Sequence, residues 1–253
     1  MTSKTPVETP KVRDDAANWA VPAGRLRVGE VPPGAVNLNV TGRRLVGPVQ
    51  GFGQLWQKTY RMRLDGIAIT PPDVIREWKA NYGAFWPKGN HFYAPQAGIQ
   101  PGVVVLINGE SLGGVEVSTG IEVIYADDES FTFMNAEGHP AAGIVTFSAA
   151  RDEHGVSAQV QVLIRADDPF YDVMLPIYGH RFEDQMWTKT LVALAAHFGA
   201  HGDVTVERIC VDRRRNWSQA KNIWRNAAIR SGFYMFGAPI RWVRRALKEG
   251  REA

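Results

Sequence analysis

The stretch "DDPFYDVMLPIYGHRFEDQMWTKTLVALAAHFGAHG", residues 167–202, decides how this chain folds. Asp168 can cap a helix, Pro169 suits its first turn, and Gly199 suits the residue just past its end. Between them Met174, Tyr178, Phe182, Met186, Thr190, Leu194 and Phe198 recur every fourth residue, with Trp187 and Leu191 beside them. On a helix of 3.6 residues per turn, a four-residue step drifts by about 40° each time, so the apolar stripe winds. A winding stripe fits a helix laid across a twisted, curved sheet. Pro176 and Gly179 are expected to interrupt its first turns.

The residues before it follow the other period. In "LWQKTYRMRLDG" (55–66), Trp56, Lys58, Tyr60, Met62 and Leu64 share one face, and Gln57, Thr59, Arg61 and Arg63 the other. That alternation predicts a half-buried strand. Thr70 then caps a helix that carries Pro71 and Pro72 in its first turn, and Val74, Ile75, Trp78 and Tyr82 recur at helical spacing up to Gly83. After "PGVVVLINGE" come four strand segments at 115–126, 130–135, 143–151 and 156–166, joined by short Asp- and Gly-rich turns. Short connections force antiparallel neighbours, so the pattern is a meander. The fold class read from this is α+β.

Composition narrows the setting. With 253 residues and 45% hydrophobic content the chain can build a substantial core. One cysteine, Cys210, excludes an internal disulfide and a cysteine-rich zinc site, and a cytoplasmic location is expected. The N-terminus lacks the apolar core of a signal peptide, and no run approaches a membrane span. From Val206 onward there are 12 Lys/Arg against 4 Asp/Glu, so the basic character belongs to the tail. Three regions are expected: a flexible Pro-rich arm over 1–50, a folded domain over 51–200, and a basic, aromatic extension over 201–253. About the first 25 residues read as disordered, while "VNLNVTGRRLVGPVQGFG" has enough Val and Leu to lie across the body.

A strand, a helix after a Pro-rich turn, an antiparallel meander and a long C-terminal helix resemble the START-like, or SRPBCC, helix-grip superfamily over residues 52–199. The segments that carry this are "LWQKTYRMRLDGIAITPPDVIREW", "GIEVIYADDESFTFMNAEGHPAAGIVTFSA", "AQVQVLIRADDPFYD" and the helix through Phe198. Within it, "EGHPAAGIVTF" is similar to uncharacterised bacterial members with a Gly-His-Pro turn. The resemblance implies a curved antiparallel sheet wrapped around the long helix, with a cavity for an apolar small molecule or lipid between them. It also implies cavity candidates, namely Trp86, Phe92, Tyr93, Tyr125, Phe133, Phe147, Tyr178 and Phe182, with Arg165 as a polar group that could orient a ligand. The superfamily spans carriers, receptors, cyclases and oxygenase subunits, so fold alone leaves the activity open.

Individual residues add little chemistry of their own. No Ser-His-Asp order, G-x-S-x-G, phosphate-binding glycine loop or H-E-x-x-H is present, and no cofactor is expected. His139 could be an acid, a base or a ligand donor, but between Gly138 and Pro140 it reads as a hairpin residue. His180 and Asp184, and His197 and His201, have metal-ligand spacing without a third ligand, so no metal is expected. Glu122 and Arg165 could face inward as buried polar groups or outward as rim charges, with outward favoured.

Three functions follow as expectations. The first is binding of an apolar molecule beside the 177–198 helix. The second is a polyketide cyclase or aromatase activity using His91, Tyr93, Glu122 or Arg165. The third is a membrane-peripheral role for the 206–253 tail, whose aromatics interleave with arginines and suit an anionic membrane surface. Nucleic acid is the less favoured partner for it. The plainest expectation for the tail is that Ile223, Trp224 and Ala227 pack on the body.

Overall fold

The computed structural model describes residues 15–93, 95, 97–110 and 116–236. Among them nine strands form one curved antiparallel sheet. The strands are β1 (Leu45–Val46), β2 (Leu55–Arg63), β3 (Asn90–Tyr93), β4 (Val104–Glu110), β5 (Glu116–Ala126), β6 (Ser130–Ala136), β7 (Ala141–Asp152), β8 (Gly155–Ala166) and β9 (Val204–Asp212). Their order is β3-β4-β5-β6-β7-β8-β2-β9, with β1 paired to β6. The helices are α1 (Pro71–Ala80), α2 (Pro169–Met174), α3 (His180–His197) and α4 (Ala227–Phe236).

Local chemistry sets these boundaries as the residue types predict. The Thr70 side chain accepts from the Asp73 N–H and Asp73 reaches back to Thr70, closing a capping box at the start of α1. Asp168 accepts from the Tyr171 N–H and caps α2. Gly199, at φ +75°, ends the long helix in the left-handed region. The interruption expected at Pro176 and Gly179 is a five-residue π-helical turn, Leu175–Gly179, between α2 and α3.

The sheet's inner face carries the main core. Trp78 of α1 meets Phe147 edge-on, with ring centroids 5.3 Å apart, and Phe131 stacks on Phe147 at 4.7 Å. Trp187, Leu191, Leu194 and Ala195 bring α3 against the same cluster. The strand reading of 55–64 holds: Lys58, Tyr60, Met62 and Leu64 are buried and Arg61 is exposed. The result is the helix-grip arrangement, an antiparallel sheet curved around a long helix.

The outer face is covered too. Leu26 and Val40 from the N-terminal arm pack on Leu106 and Ala136. Further out, Trp19 bridges to Tyr125, ring centroids 4.7 Å apart, so the described part of the first 25 residues lies on the sheet. Beyond α3 the chain adds β9 to the free edge of β2, in register from Leu55↔Asp212 to Met62↔Val204. The segment after residue 200 thus begins as a strand of the same sheet. A 3-10 helical stretch, Trp217–Arg225, and α4 then run back over the outer face.

Polar bonds tie this tail down. Asn222 Nδ2 donates to Asp167 Oδ1 at 3.1 Å, Asn226 Nδ2 to Asp168 Oδ2 at 2.8 Å, and the Ala227 N–H to the Gly138 carbonyl at 2.9 Å. The expected apolar packing of the tail is corrected in one respect. Ala227 is buried and Ile223 half-buried, but Trp224 points outward, because the docking positions here are asparagines. Of the tail's aromatic and aliphatic residues, Ile240, Trp242 and Val243 lie outside the described residues.

The Gly-His-Pro turn between β6 and β7 is where the tail and the body meet. Gly138 has φ +92°, and a Cβ there would lie 2.1 Å from the Arg225 carbonyl oxygen. Gly138→Ala should therefore cost more than the roughly 1–2 kcal/mol of left-handed strain alone. Urea unfolding should show that loss, and limited proteolysis should cut the variant faster within 213–230 than the wild type.

Candidate functional site

The helix layer does not fill the sheet evenly. Along the second half of α3, Thr190, Leu191, Leu194 and Ala195 are buried against the core. Towards α2 the π-helical turn shifts the backbone, and a cavity of about 250 Å³ opens between helix and sheet. Its floor is apolar: Ile107, Val117, Ile121, Phe133, Val145, Val162 and Ile164. Tyr171, Met174, Leu175, Tyr178, Phe182 and Met186 form the helical wall, while Tyr82 and Trp86 close one end. The fourfold stripe read from the sequence thus has two jobs. Its first residues line the cavity and its later ones fill the core.

The sequence candidates divide by location. Trp86, Phe133, Tyr178 and Phe182 line the cavity. Phe92 and Phe147 belong to the packed aromatic cluster around Tyr82, at centroid distances of 4.5 and 5.3 Å from it. Tyr93, Tyr125 and Arg165 sit on the outer face, for reasons of register. Tyr93 pairs with Leu106, whose side chain is in the outer cluster, and its hydroxyl donates to the Gly34 carbonyl. Arg165 follows Ile164, which faces the cavity, so alternation turns it outward. There its guanidinium donates to the Gly53 and Arg214 carbonyls and to Asp212 at 2.8 Å. Tyr125 would share the inward parity of Val123, but the register shifts between them. A bulge adds one residue and changes which face the chain presents.

The polar residues proposed for catalysis divide in the same way. Glu122 faces outward as favoured, but neither it (3% exposed) nor Arg165 (9%) is the rim charge expected. The N-terminal arm residues Val21, Arg25 and Arg27 cover Glu122, where burial raises its carboxyl pKa, and the 213–214 segment covers Arg165. His91 is exposed on β3. His180 meets Trp56 edge-on, Asp184 is held by Tyr60 and Arg208, and His197 approaches Glu77 at 3.3 Å. No group of three metal-ligating side chains occurs among the described residues.

The polar groups that do reach the cavity are different ones. Glu183 of α3 lines it and pairs with Lys58, which is fully buried on β2. Burial raises the Glu183 carboxyl pKa against the pull of Lys58, and adjacent Asp184 adds to the rise. Asp184 itself is also pushed up by burial. Hydrogen bonds from Arg208 and from Tyr60 (2.6 Å), with the nearby Lys58, outweigh that and hold it below the usual carboxylate range. So two neighbouring carboxylates are driven apart in acidity by their settings.

His139 also lines the cavity, with its Nδ1 held 3.1 Å from the Ala141 main chain. Enclosure lowers its pKa to about 4, so the ring is neutral at pH 7. Thr119 Oγ1 lines the same space, is buried, and has no hydrogen-bond partner among the described residues, while the buried Tyr82 hydroxyl lies beside the Trp86 indole. The sequence carried a partial signal for these groups. Lys58 lay on an otherwise apolar strand face, and Glu183 stood between the stripe residues Phe182 and Met186. Their meeting, 125 positions apart, could not be read from either segment.

No family model matches the chain, and no curated protein matches it. It is similar to several solved structures. One is the di-domain ARO/CYC StfQ from the steffimycin biosynthetic pathway, at 9% identity and TM-score 0.44, covering 58% of this chain and 51% of that one. Another is the ginseng major latex-like protein 151 from Panax ginseng, at 13% identity and TM-score 0.39, covering 58% and 99%. A third is protein Ms6760 from Mycobacterium smegmatis, at 14% identity and TM-score 0.40, covering 58% and 92%.

Proposed function

We propose that this protein binds an apolar small molecule or lipid in the cavity between its sheet and the α2–α3 layer. The observation that carries the reading is the cavity itself: an apolar floor and wall with a few buried polar groups. Protein interiors are close-packed, so a void of this size lined by aliphatic and aromatic side chains forfeits contact energy that a bound molecule restores. The buried hydroxyl of Thr119 favours a molecule with at least one hydrogen-bonding atom, because unpaired buried polar groups are costly. The neutral probe N-phenyl-1-naphthylamine should bind with enhanced fluorescence. Val162→Trp should fill the cavity and abolish that enhancement while leaving the far-ultraviolet circular dichroism unchanged. Equal probe binding by both proteins would place the site elsewhere.

A second reading, proton transfer on a polyketide-like substrate, is supported by Glu183. It is a carboxyl of raised pKa, backed by a buried lysine and facing an apolar space, as a general acid or base requires. His91, Tyr93, Glu122 and Arg165 do not line the cavity, so this version assigns the proton-transfer role to Glu183 in place of them. Benzoylacetone, a neutral aromatic diketone, is the probe: its exchange of the central C–H protons in D2O should be accelerated by the wild type. Glu183→Gln should lose the acceleration, and no acceleration by the wild type removes the enzyme reading.

His139 gives a pH prediction. The unfolded side chain takes up a proton near 6.5, but the folded one only near 4. Folded stability should therefore fall as pH drops through that window, by about 3 kcal/mol from this residue. Asp167, raised to about 7 by burial and by Asp168, acts in the opposite sense and stabilises the fold as pH falls towards 4. In urea unfolding, the change in stability from pH 6.5 to pH 4 should be less favourable in the wild type than in His139→Gln, by up to about 3 kcal/mol, whatever the sign of the change in either protein.

A further inference from the structure

The tail and the cavity wall meet at the surface. From residue 215 to 228 the tail runs along α2 and the β8–α2 junction, joined to them at four points. Arg215 pairs with Asp172 at 2.6 Å, Asn222 bonds Asp167, Asn226 bonds Asp168, and the Ala228 N–H donates to the Tyr171 hydroxyl at 3.1 Å. The inner side of α2 and its π-helical extension lines the cavity through Tyr171, Met174 and Leu175. The outer side leaves Val173 62% and Ile177 66% exposed. Beside them the tail leaves Trp217 73% and Trp224 84% exposed.

Two tryptophans on one surface segment with most of their area in solvent call for a reason beyond packing. The docking of this segment is done by asparagines, by Ala227 and by one edge contact of Trp217 on the buried Phe52 (ring centroids 5.1 Å), so packing accounts in part for Trp217 and not for Trp224. Charge specifies what the face meets. Residues 213–236 contain six Lys/Arg and no Asp/Glu. Three of the six are paired with carboxylates of the body or of β9, Arg214 with Asp212, Arg215 with Asp172 and Arg225 with Glu137. Arg213 and Lys221 are exposed and make no ion pair among the described residues. Indole rings with basic neighbours match the interface of a bilayer with anionic headgroups, where the rings sit among the headgroups and the cations meet the surface potential.

We propose that the face formed by α2, its π-helical extension and the 213–225 segment docks on an anionic lipid surface. Docking there turns the outer wall of the cavity towards the bilayer. It rests on the exposed residues and their charge, and it holds whether or not the cavity takes a ligand.

Sedimentation of the full-length protein with sonicated vesicles tests this. Vesicles of phosphatidylcholine with 30% phosphatidylglycerol should carry the protein down at 50 mM salt, and pure phosphatidylcholine vesicles should not. The double variant Trp217→Ser/Trp224→Ser should lose at least tenfold in partitioning. Arg213→Glu/Lys221→Glu should lose a comparable amount, with the loss shrinking as salt rises. Circular dichroism of all variants should match the wild type, and so should the unfolding midpoint of Arg213→Glu/Lys221→Glu. Trp224→Ser alone, whose side chain is 84% exposed, should keep the midpoint and still weaken partitioning, which separates membrane contact from the Trp217–Phe52 contact. Three results would overturn the proposal: no binding to the anionic vesicles, binding unaffected by both double variants, or tryptophan-dependent self-association in sedimentation velocity without vesicle binding. The second would assign the binding to residues 237–253 instead, and the third would make the face an interface between copies of this chain.

Discussion

A curved antiparallel sheet must cover its concave face, and here one helix does most of that work. The apolar stripe on the helix winds because its residues repeat every four positions while the helix turns every 3.6. It follows the curve of the sheet along the second half of α3 and packs there, while the first turns of α3 line the cavity. At α2 the path is broken by a π-helical turn that holds Pro176 and Gly179, and the helix layer no longer meets the strands. The cavity occupies that gap. Its location is thus a consequence of how far a straight rod can follow a curved surface. The same break sets Glu183 one turn into α3, where it reaches both the cavity and Lys58.

The buried ion pair has a cost that constrains its surroundings. Taking Lys58 and Glu183 out of water is repaid only where each has partners of good geometry. Asp184 at 3.5 Å supplies Lys58 with a second carboxylate, and Tyr60 and Arg208 in turn occupy Asp184. Arg208 comes from β9, so the strand added after the long helix helps complete a network that begins inside the grip. That connection gives the extension a part in the site, beyond covering an edge.

The outer face shows a related economy. Asp167 and Asp168 sit at the junction of β8 and α2, close to the Gly138 turn, and each accepts an amide from a tail asparagine. Neighbouring carboxylates in a buried place repel and resist ionisation, so these donors are what make the position tolerable. The tail therefore docks mainly through hydrogen bonds at residues 222 and 226, with Ile223 half-buried and Trp224 left outside. Packing through Trp224, the simpler expectation, would have hidden the feature that makes this surface unusual.

Much of this was legible in the residues themselves. The period of two in 55–64, the caps at Thr70 and Asp168, the Gly199 stop and the hairpin at residues 137–140 all follow from local chemistry, which acts over a few positions. The face of Arg165 and Glu122 follows only once the register is known, and Tyr125 needed the bulge, which leaves no mark in composition. Of the nine cavity candidates, Trp86, Phe133, Tyr178 and Phe182 line the space, and the other five were displaced by such registers or by close packing. His139 was read as a turn residue and is one, yet its ring also enters the cavity wall. The sequence by itself determined the central strands, the two capped helices, their order and the winding stripe, because these depend on neighbours three or four residues away; the short strands β1 and β3 and the tail helices left no such periodic signal. Tertiary structure decided which polar groups reach the cavity, because Lys58 and Glu183 meet only after a strand and a helix 125 residues apart are brought face to face.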